Sequence, residues 1–269
     1  MKNKNILITG SDGFIGKRLV AKLRNDEPHY SILSYDKSQG YDILNKDQLS
    51  GFNSDIVIHL AAIIRTNDLN EMYGVNIQGT LNVLEHCKKI GARIIFASSA
   101  AVYGNLRPPI REDSEFQPIS HYGFTKLMGE QMCRYYSFNH GIKSLILRIF
   151  NPYGPSQKPG FLIPDILSKL NDKEIVLGNP HPKRDFIYLD DVVEAIIKSI
   201  DSEAEGTINI GTGKSYSVEE IAKMITDKKV RFSDLKKIDS DIRADITLAK
   251  RLLNWEPKID LQEGVKRLK

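Results

Sequence analysis

Tyr122 and Lys126 stand four residues apart in Tyr122-Gly123-Phe124-Thr125-Lys126, and Ser98-Ser99 lies some two dozen residues earlier. On a helix the first two share one face, a turn from each other. A phenol ionises near pH 10 and is a poor base at neutral pH. A fixed ammonium beside it favours the phenolate. Lowering the phenol by roughly three units takes about 4 kcal/mol of differential stabilisation, within reach of a partly desolvated site. A serine hydroxyl nearby can then hold a substrate hydroxyl between itself and the phenol. Such a device moves a proton on or off an alcohol while hydride leaves its carbon. Tyr and Lys also fall four apart on many helices by chance, so the rest of the chain must decide.

Those residues need elements to place them. Ile6-Leu7-Ile8 is a short apolar run ending at Thr9-Gly10, as in a buried parallel strand. Gly10-Ser11-Asp12-Gly13-Phe14-Ile15-Gly16 follows, then a helical pattern through Leu19, Val20 and Leu23. Strand, glycine turn and helix present backbone N–H groups and a helix N-terminus to a phosphate. A second strand over Ser31–Tyr35 ends at Asp36, twenty residues past Gly16. A carboxylate there accepts from ribose hydroxyls and repels a 2′-phosphate, which favours NAD over NADP, with Lys37 softening the preference. Tyr41–Leu44 is expected to be a short third strand and Asp55–His59 the next, with His59 packed rather than catalytic. The spacing predicts a helix from Glu71 to Lys89 capped by Gly91, and a strand at Ala92–Ala97 that delivers Ser98-Ser99 to its C-terminal end. A helix over His121–His140 and a strand over Ser144–Ile149 complete the alternation. This implies an α/β fold, a Rossmann-type doubly wound parallel sheet.

After Phe150 the texture changes. Asn151–Gly160 is rich in Pro and Gly, long enough to suggest a functional loop. Shorter helices and strands follow, including a strand at Thr207–Ile210 between helices near Asp191–Ile200 and Val218–Ile225. The expected organisation is a dinucleotide-binding domain over 1–150 and a small substrate-binding lobe over 151–269, interwoven with the first.

Composition narrows the classes. The 269 residues carry 38 Lys+Arg against 34 Asp+Glu, a net charge of +4, but the basic residues are scattered among acidic ones. A nucleic-acid surface is therefore not indicated. No run approaches the roughly 18 apolar residues of a membrane span. Cys87 and Cys133 both fall in helical patterns and read as reduced thiols, with no disulfide or metal site, which points to the cytoplasm.

Taken in order, these residues carry a family resemblance. The glycine turn, Asp36, His59-Leu60-Ala61-Ala62, Asn76 with Gly79-Thr80, Ser98–Gly104, Tyr122…Lys126, Asn151–Pro155, Arg184-Asp185-Phe186 and Asp245…Trp255-Glu256-Pro257 resemble the extended short-chain dehydrogenase/reductases. Within these, the chain is similar to the NAD-dependent nucleotide-sugar epimerases and dehydratases, of the UDP-glucose/galactose 4-epimerase type. The resemblance covers nearly the whole chain. It implies Ser99, Tyr122 and Lys126 as the catalytic triad, with Asn76 as its structural fourth member. Ser99 is chosen because it stands three residues before Val102. Gly10, Gly13, Phe14 and Ile15 are implied at the pyrophosphate, Asp36 at the adenosine ribose, and Asp42 and Ile43 beside adenine. Leu60, Ala61, Ala62 and Phe150 are implied to line the cofactor, which Asn76, Tyr122 and Lys126 also approach. Asn151 and Arg184 match positions that bind the sugar-nucleotide diphosphate, a task suited to a guanidinium's fork of donors. Arg243 is implied as a second phosphate ligand, in a segment shorter than the family's. Trp255 reads as packing. A homodimer formed through the helices at 71–89 and 121–140 is a further implication.

The Ser-Ser-Ala-x-Val-Tyr-Gly form resembles 4-epimerases, in which Tyr takes the proton of the sugar's 4-hydroxyl while NAD takes hydride from the same carbon. A 4,6-dehydratase wants an acidic pair after the serine, and Ala100 and Ala101 offer neither acid nor base. The rival is an NAD(P)H-dependent nucleotide-4-keto-sugar reductase, favoured by the short chain and the compressed segment from Asp36 to Asp55. A non-catalytic NAD(P)-binding scaffold would be expected to have lost Tyr or Lys, and both are present.

Overall fold

The computed structural model describes residues 4–236 and 240–268. The expected strands form at β1 (Lys4–Thr9), β2 (Tyr30–Tyr35), β3 (Ile56–His59), β4 (Arg93–Ser99) and β5 (Ser144–Ile149). Four short strands follow: β6 (Asn151–Tyr153), β7 (Ile175–Leu177), β8 (Lys183–Arg184) and β9 (Phe186–Tyr188). β10 (Gly206–Ile210) then completes a six-stranded sheet in the order β10-β5-β4-β3-β1-β2. Every pairing in it is parallel.

Parallel strands covered on both faces need apolar side chains at successive positions, and every residue of β3 and β5 is buried. The pleat deals those side chains alternately to two cores. Ile6, Ile8, Ile58 and Leu147 meet Leu19 and Leu23 of α1 (Phe14–Asp26), with Val192 and Ile196 contributed from near the C-terminal half. Leu7, Val57, Phe96 and Ile146 face the other way, against Val83 and Leu84 of α4 (Gly79–Ile90) and Cys133 and Tyr136 of α5 (His121–His140). The α-helix between β2 and β3 is the short α2 (Lys46–Ser50), and α3 (Leu69–Tyr73), between β3 and α4, is as short. This is the Rossmann-type α/β sheet the sequence implied.

Three expectations are corrected. Tyr41–Leu44 is a turn rather than a strand: the Tyr35 hydroxyl donates to the Asp42 carbonyl and the Asn82 amide to the Ile43 carbonyl, so side chains have taken the groups a ladder would use. The helix expected over Glu71–Lys89 does run from α3 to α4, but its middle, Gly74–Gln78, is a π turn. The strand at Thr207–Ile210 and α7 (Leu189–Asp201) do not sit in the lobe. β10 is an edge of the main sheet, and α7 packs its apolar stripe against α1 and that sheet.

The remaining elements build over the C-terminal edge of the sheet. They are α6 (Leu162–Ser168), α8 (Val218–Ile225), α10 (Leu261–Lys266) and the strands β11 (Tyr216–Ser217), β12 (Val230–Phe232) and β13 (Asp241–Ile242), whereas α9 (Thr247–Leu253) returns Ala249 and Leu253 to the main-sheet core beside β10 and α7. Small ladders tie them: β6 to β9, β7 to β12, and β8 between β11 and β13. Their own core holds Ile163, Ile166, Ile175, Leu177, Ile221, Ile225 and Leu261. Trp255 is buried as packing, its indole N–H donating to the Asp191 carbonyl. No helix among the described residues is long and apolar enough to cross a membrane.

Candidate active site

Helix α5 sets the geometry. Ser120 caps its start, accepting from the Gly123 amide at 3.0 Å, and Gly141 ends it in the left-handed conformation. The helix lies close on β4 because it carries glycine where it touches. A Cβ at Gly129 would come within 2.4 Å of the Phe96 ring, and one at Gly123 within 2.4 Å of the Ala101 carbonyl oxygen. That approach brings Tyr122 and Lys126 to the strand end bearing Ser98 and Ser99, and all four line one cleft of about 1240 Å³.

Lys126 is buried. Its ammonium donates to the Ala97 carbonyl at 2.8 Å and lies 4.9 Å from the centre of the Phe96 ring. Burial pushes it down to about 8, with Cys133 and Glu130 acting in the opposite direction. The ammonium is 5.9 Å from the centre of the Tyr122 ring. The phenol is pushed up to about 12 by burial, against which the Ser99 hydroxyl acts as a hydrogen-bond partner. The sequence expectation of a phenol lowered by a neighbouring ammonium is thus not met by the protein alone. Lys126 is turned towards Ala97, and desolvation outweighs it.

The glycine turn is shaped for a phosphate. α1 begins at Gly13 with no side-chain cap, so its first amides keep donors free. A Cβ at Gly10 would lie 2.6 Å from the Ala61 amide nitrogen, so only glycine fits between the turn and the loop after β3. Among the described residues the buried Ser11 hydroxyl has no hydrogen-bond partner. An uncapped helix start, a cradle without side chains and an orphaned hydroxyl fit a dinucleotide's pyrophosphate. Asp36 closes the far side: its carboxylate accepts from the Asp12 amide at 3.0 Å and from Ser38. Ser38 also donates to the Asp12 carboxylate, which sets two acidic groups side by side at the end of β2.

Gly10, Gly13, Phe14, Ile15, Leu60, Ala62, Ser99, Tyr122, Lys126, Phe150, Asn151 and Arg184 all line the cleft. Asp36, Asp42, Ile43, Ala61, Asn76 and Arg243 do not. Ile43 is buried against Gly79, in the core beneath α4. Asn76 uses its whole amide structurally, donating to the Ile63 carbonyl and the Thr125 hydroxyl and accepting from the Ile63 amide. It stands in the π turn and fixes the loop after β3 against α5. Ile242 lines the cleft, while Arg243, just past β13, contributes its backbone carbonyl to the Ile110 amide. His59 is packed as expected, hydrogen-bonded to the hydroxyls of Thr9 and Thr80 and pushed down to about 3 by burial and by Lys126.

Arg184 makes no ion pair with Asp185. That carboxylate is buried and accepts from Thr212, Gly213 and the Ala244 amide, pinning two loops. Arg184 instead bonds the Ser240 hydroxyl at 2.9 Å, and the Asn151 amide donates to the Asp185 carbonyl at 2.8 Å. Sequence reasoning missed Arg65 and Phe161, which stack 4.6 Å apart at the cleft wall. It also missed Glu130, buried one turn beyond Lys126.

Residues 6–211 match the NAD dependent epimerase/dehydratase family. The chain belongs to that family. Over 98% of its length it is 34% identical to a putative UDP-glucose 4-epimerase of Methanocaldococcus jannaschii, covering 96% of that protein. The crystal structure of the UDP-glucose 4-epimerase of Thermotoga maritima with UDP-glucose superposes with a TM-score of 0.89 at 29% identity, covering 98% of this chain and 96% of that one. The UDP-glucuronic acid 4-epimerase of Bacillus cereus, in complex with UDP-glucuronic acid and NAD, gives 0.87 at 30% identity, covering 98% and 97%. One cleft here runs past both the first glycine turn and the side chains of Ser99, Tyr122 and Lys126. Among the described residues no cluster of side chains could hold a metal ion.

Proposed function

We propose that this chain is a nucleotide-sugar 4-epimerase that oxidises the sugar's 4-hydroxyl transiently and reduces the ketone from the other face. The observation that carries the reading is the meeting of Ser99, Tyr122 and Lys126 on the wall of the cleft that begins at Gly10 and Gly13. Bound NAD supplies the hydride acceptor and then the donor. The Tyr122 oxygen takes the proton of the 4-hydroxyl and returns it, and Ser99 holds that hydroxyl in line. Lys126 anchors the cofactor's ribose and adds positive charge beside the phenol. Asn151 and Arg184 hold the diphosphate, with residues 151–269 supplying most of the sugar-nucleotide wall and 1–150 the cofactor wall. Ala100 and Ala101 leave the wall beside Ser99 without acid or base, in keeping with epimerisation rather than dehydration.

The test starts from the protein as purified. Denaturation is expected to release stoichiometric NAD or NADH, and the intact protein to interconvert UDP-glucose and UDP-galactose or the matching uronic acids. A site filled only by added NADPH, with turnover of a 4-keto-6-deoxy sugar nucleotide, would replace this reading with the reductase.

We also propose that two copies pair through α4 and α5. Tyr135 and Phe138 of α5 are 58% and 90% exposed, more apolar surface than a helix normally leaves in water. Light scattering on the eluted protein is expected to give about twice 30.4 kDa, and a single-chain mass at micromolar concentration would sink the pairing. The two buried free thiols suit a reducing, cytoplasmic setting.

A further inference from the structure

Behind the cleft wall lies a buried polar network that proton transfer does not touch directly. Glu130 and Arg148 are both fully buried and form a bidentate pair, Nε to Oε1 at 2.9 Å and Nη2 to Oε2 at 2.7 Å. The Ser98 hydroxyl donates to Glu130 Oε1 at 2.6 Å. Arg148 continues to the Tyr103 hydroxyl at 2.7 Å and the Glu112 carbonyl at 2.9 Å, and Tyr103 donates to Asn209 of β10. A pair taken wholly out of water is weak evidence for stability, because desolvation consumes much of its attraction. Its location is what singles it out. Glu130 follows Lys126 by one turn of α5, and Ser98 lies between Ala97, whose carbonyl holds Lys126, and Ser99.

We propose that Glu130 is a positioning residue for the proton-transfer apparatus: it fixes the strand end carrying Ala97 and Ser99 against α5 and supplies the negative charge facing Lys126. The other groups around Lys126 are accounted for. On α5, Tyr122 is pushed up to about 12 by burial, and the Cys133 thiol is pushed far above its usual range. From β3, His59 is held neutral by burial. Cys87 of α4 lies beyond Cys133, and Tyr103 lies beyond Arg148; burial pushes each up to about 12. The charges left are Glu130, its partner Arg148, and Arg134, which reaches Glu130 Oε2 at 3.5 Å from the half-exposed side. Glu130 is the carboxylate of this set, and with Cys133 it acts against the burial that pushes Lys126 down.

Three variants separate this role from packing. Glu130→Gln alone leaves Arg148 as an unpaired buried charge and is expected to melt at a markedly lower temperature. Glu130→Gln together with Arg148→Met removes both charges and is expected to regain most of that loss. In the NAD-loaded paired variant, the Lys126 13Cε resonance, assigned by its disappearance in Lys126→Arg, is expected to titrate about one pH unit lower than in the unmodified chain. Ser98→Ala keeps the ion pair and cuts only the tether; kcat is expected to fall severalfold with KM and Tm unchanged. An unmoved Lys126 midpoint, or kcat and its pH profile unaltered in the paired and Ser98 variants, overturns the proposal. The kinetic readouts rest on the epimerase reading and are followed with UDP-glucose. The titration needs no substrate, so an inactive unmodified chain defeats that reading while the Lys126 midpoint still decides this one.

Discussion

Tyr122→Phe is expected to lower kcat by about a thousandfold, the middle of the range for loss of a positioned proton-transfer group. The ring that Lys126 faces at 5.9 Å remains, and so does the helix that carries it, because only an oxygen is removed. The glycine turn and Asp36 are untouched, so the nucleotide released on denaturation should stay stoichiometric and the melting temperature close to that of the unmodified chain. Loss of turnover with loss of cofactor would mean that Tyr122 holds the dinucleotide instead of moving a proton. Undiminished turnover would remove it from the chemistry altogether.

Gly16→Ala is expected to have the second large effect, on cofactor retention and stability together. A Cβ built there would lie 2.1 Å from the Gly10 carbonyl oxygen and 2.9 Å from the Ser11 backbone. These are main-chain atoms with no rotamer to change, so α1 must lift away from the turn. Overpacking of this kind costs about 1–3 kcal/mol, and here it displaces the amides offered to the pyrophosphate as well. Thermal unfolding should move down and the purified protein should emerge largely free of nucleotide. Full nucleotide content at an unchanged melting temperature would show that the turn is not the cradle.

What could be read from the chain followed the range of the interactions involved. Tyr122, Lys126 and Ser99 were legible because a four-residue spacing and a strand end are local patterns, and the limits of α5 and β5 matched because their caps and apolar runs are local too. Tyr41–Leu44 has strand-like residues, but the Asn82 amide holding its backbone arrives from α4, far along the chain. The position of β10 was hidden for the same reason: an apolar run shows that a strand exists, not which edge it joins. Asn76 was found, but its partners were not, since a π turn alters which residues share a helix face. The phenol's upward shift was not legible because its largest cause is burial, which depends on packing that a four-residue spacing does not show. Arg148 did leave a signal. A charged residue inside the apolar run Ser144-Leu145-Ile146-Leu147-Arg148-Ile149 must find a buried counter-ion. Only the fold could say that it is Glu130.

The late return of the chain to β10 bears on how the protein can assemble. β10 pairs Gly206 with Leu145 and Ile210 with Ile149, so β5, buried along its length, is covered only after everything from β6 to α7 has been made. During synthesis β5 waits as a bare apolar edge, the kind that templates pairing with another chain. A protein ended after Phe150 would keep that edge permanently and would be expected to aggregate rather than survive as a cofactor-binding half. The nucleotide-binding sheet is therefore complete only once much of the lobe above it has been made, because its sixth strand is the last of that sheet to emerge.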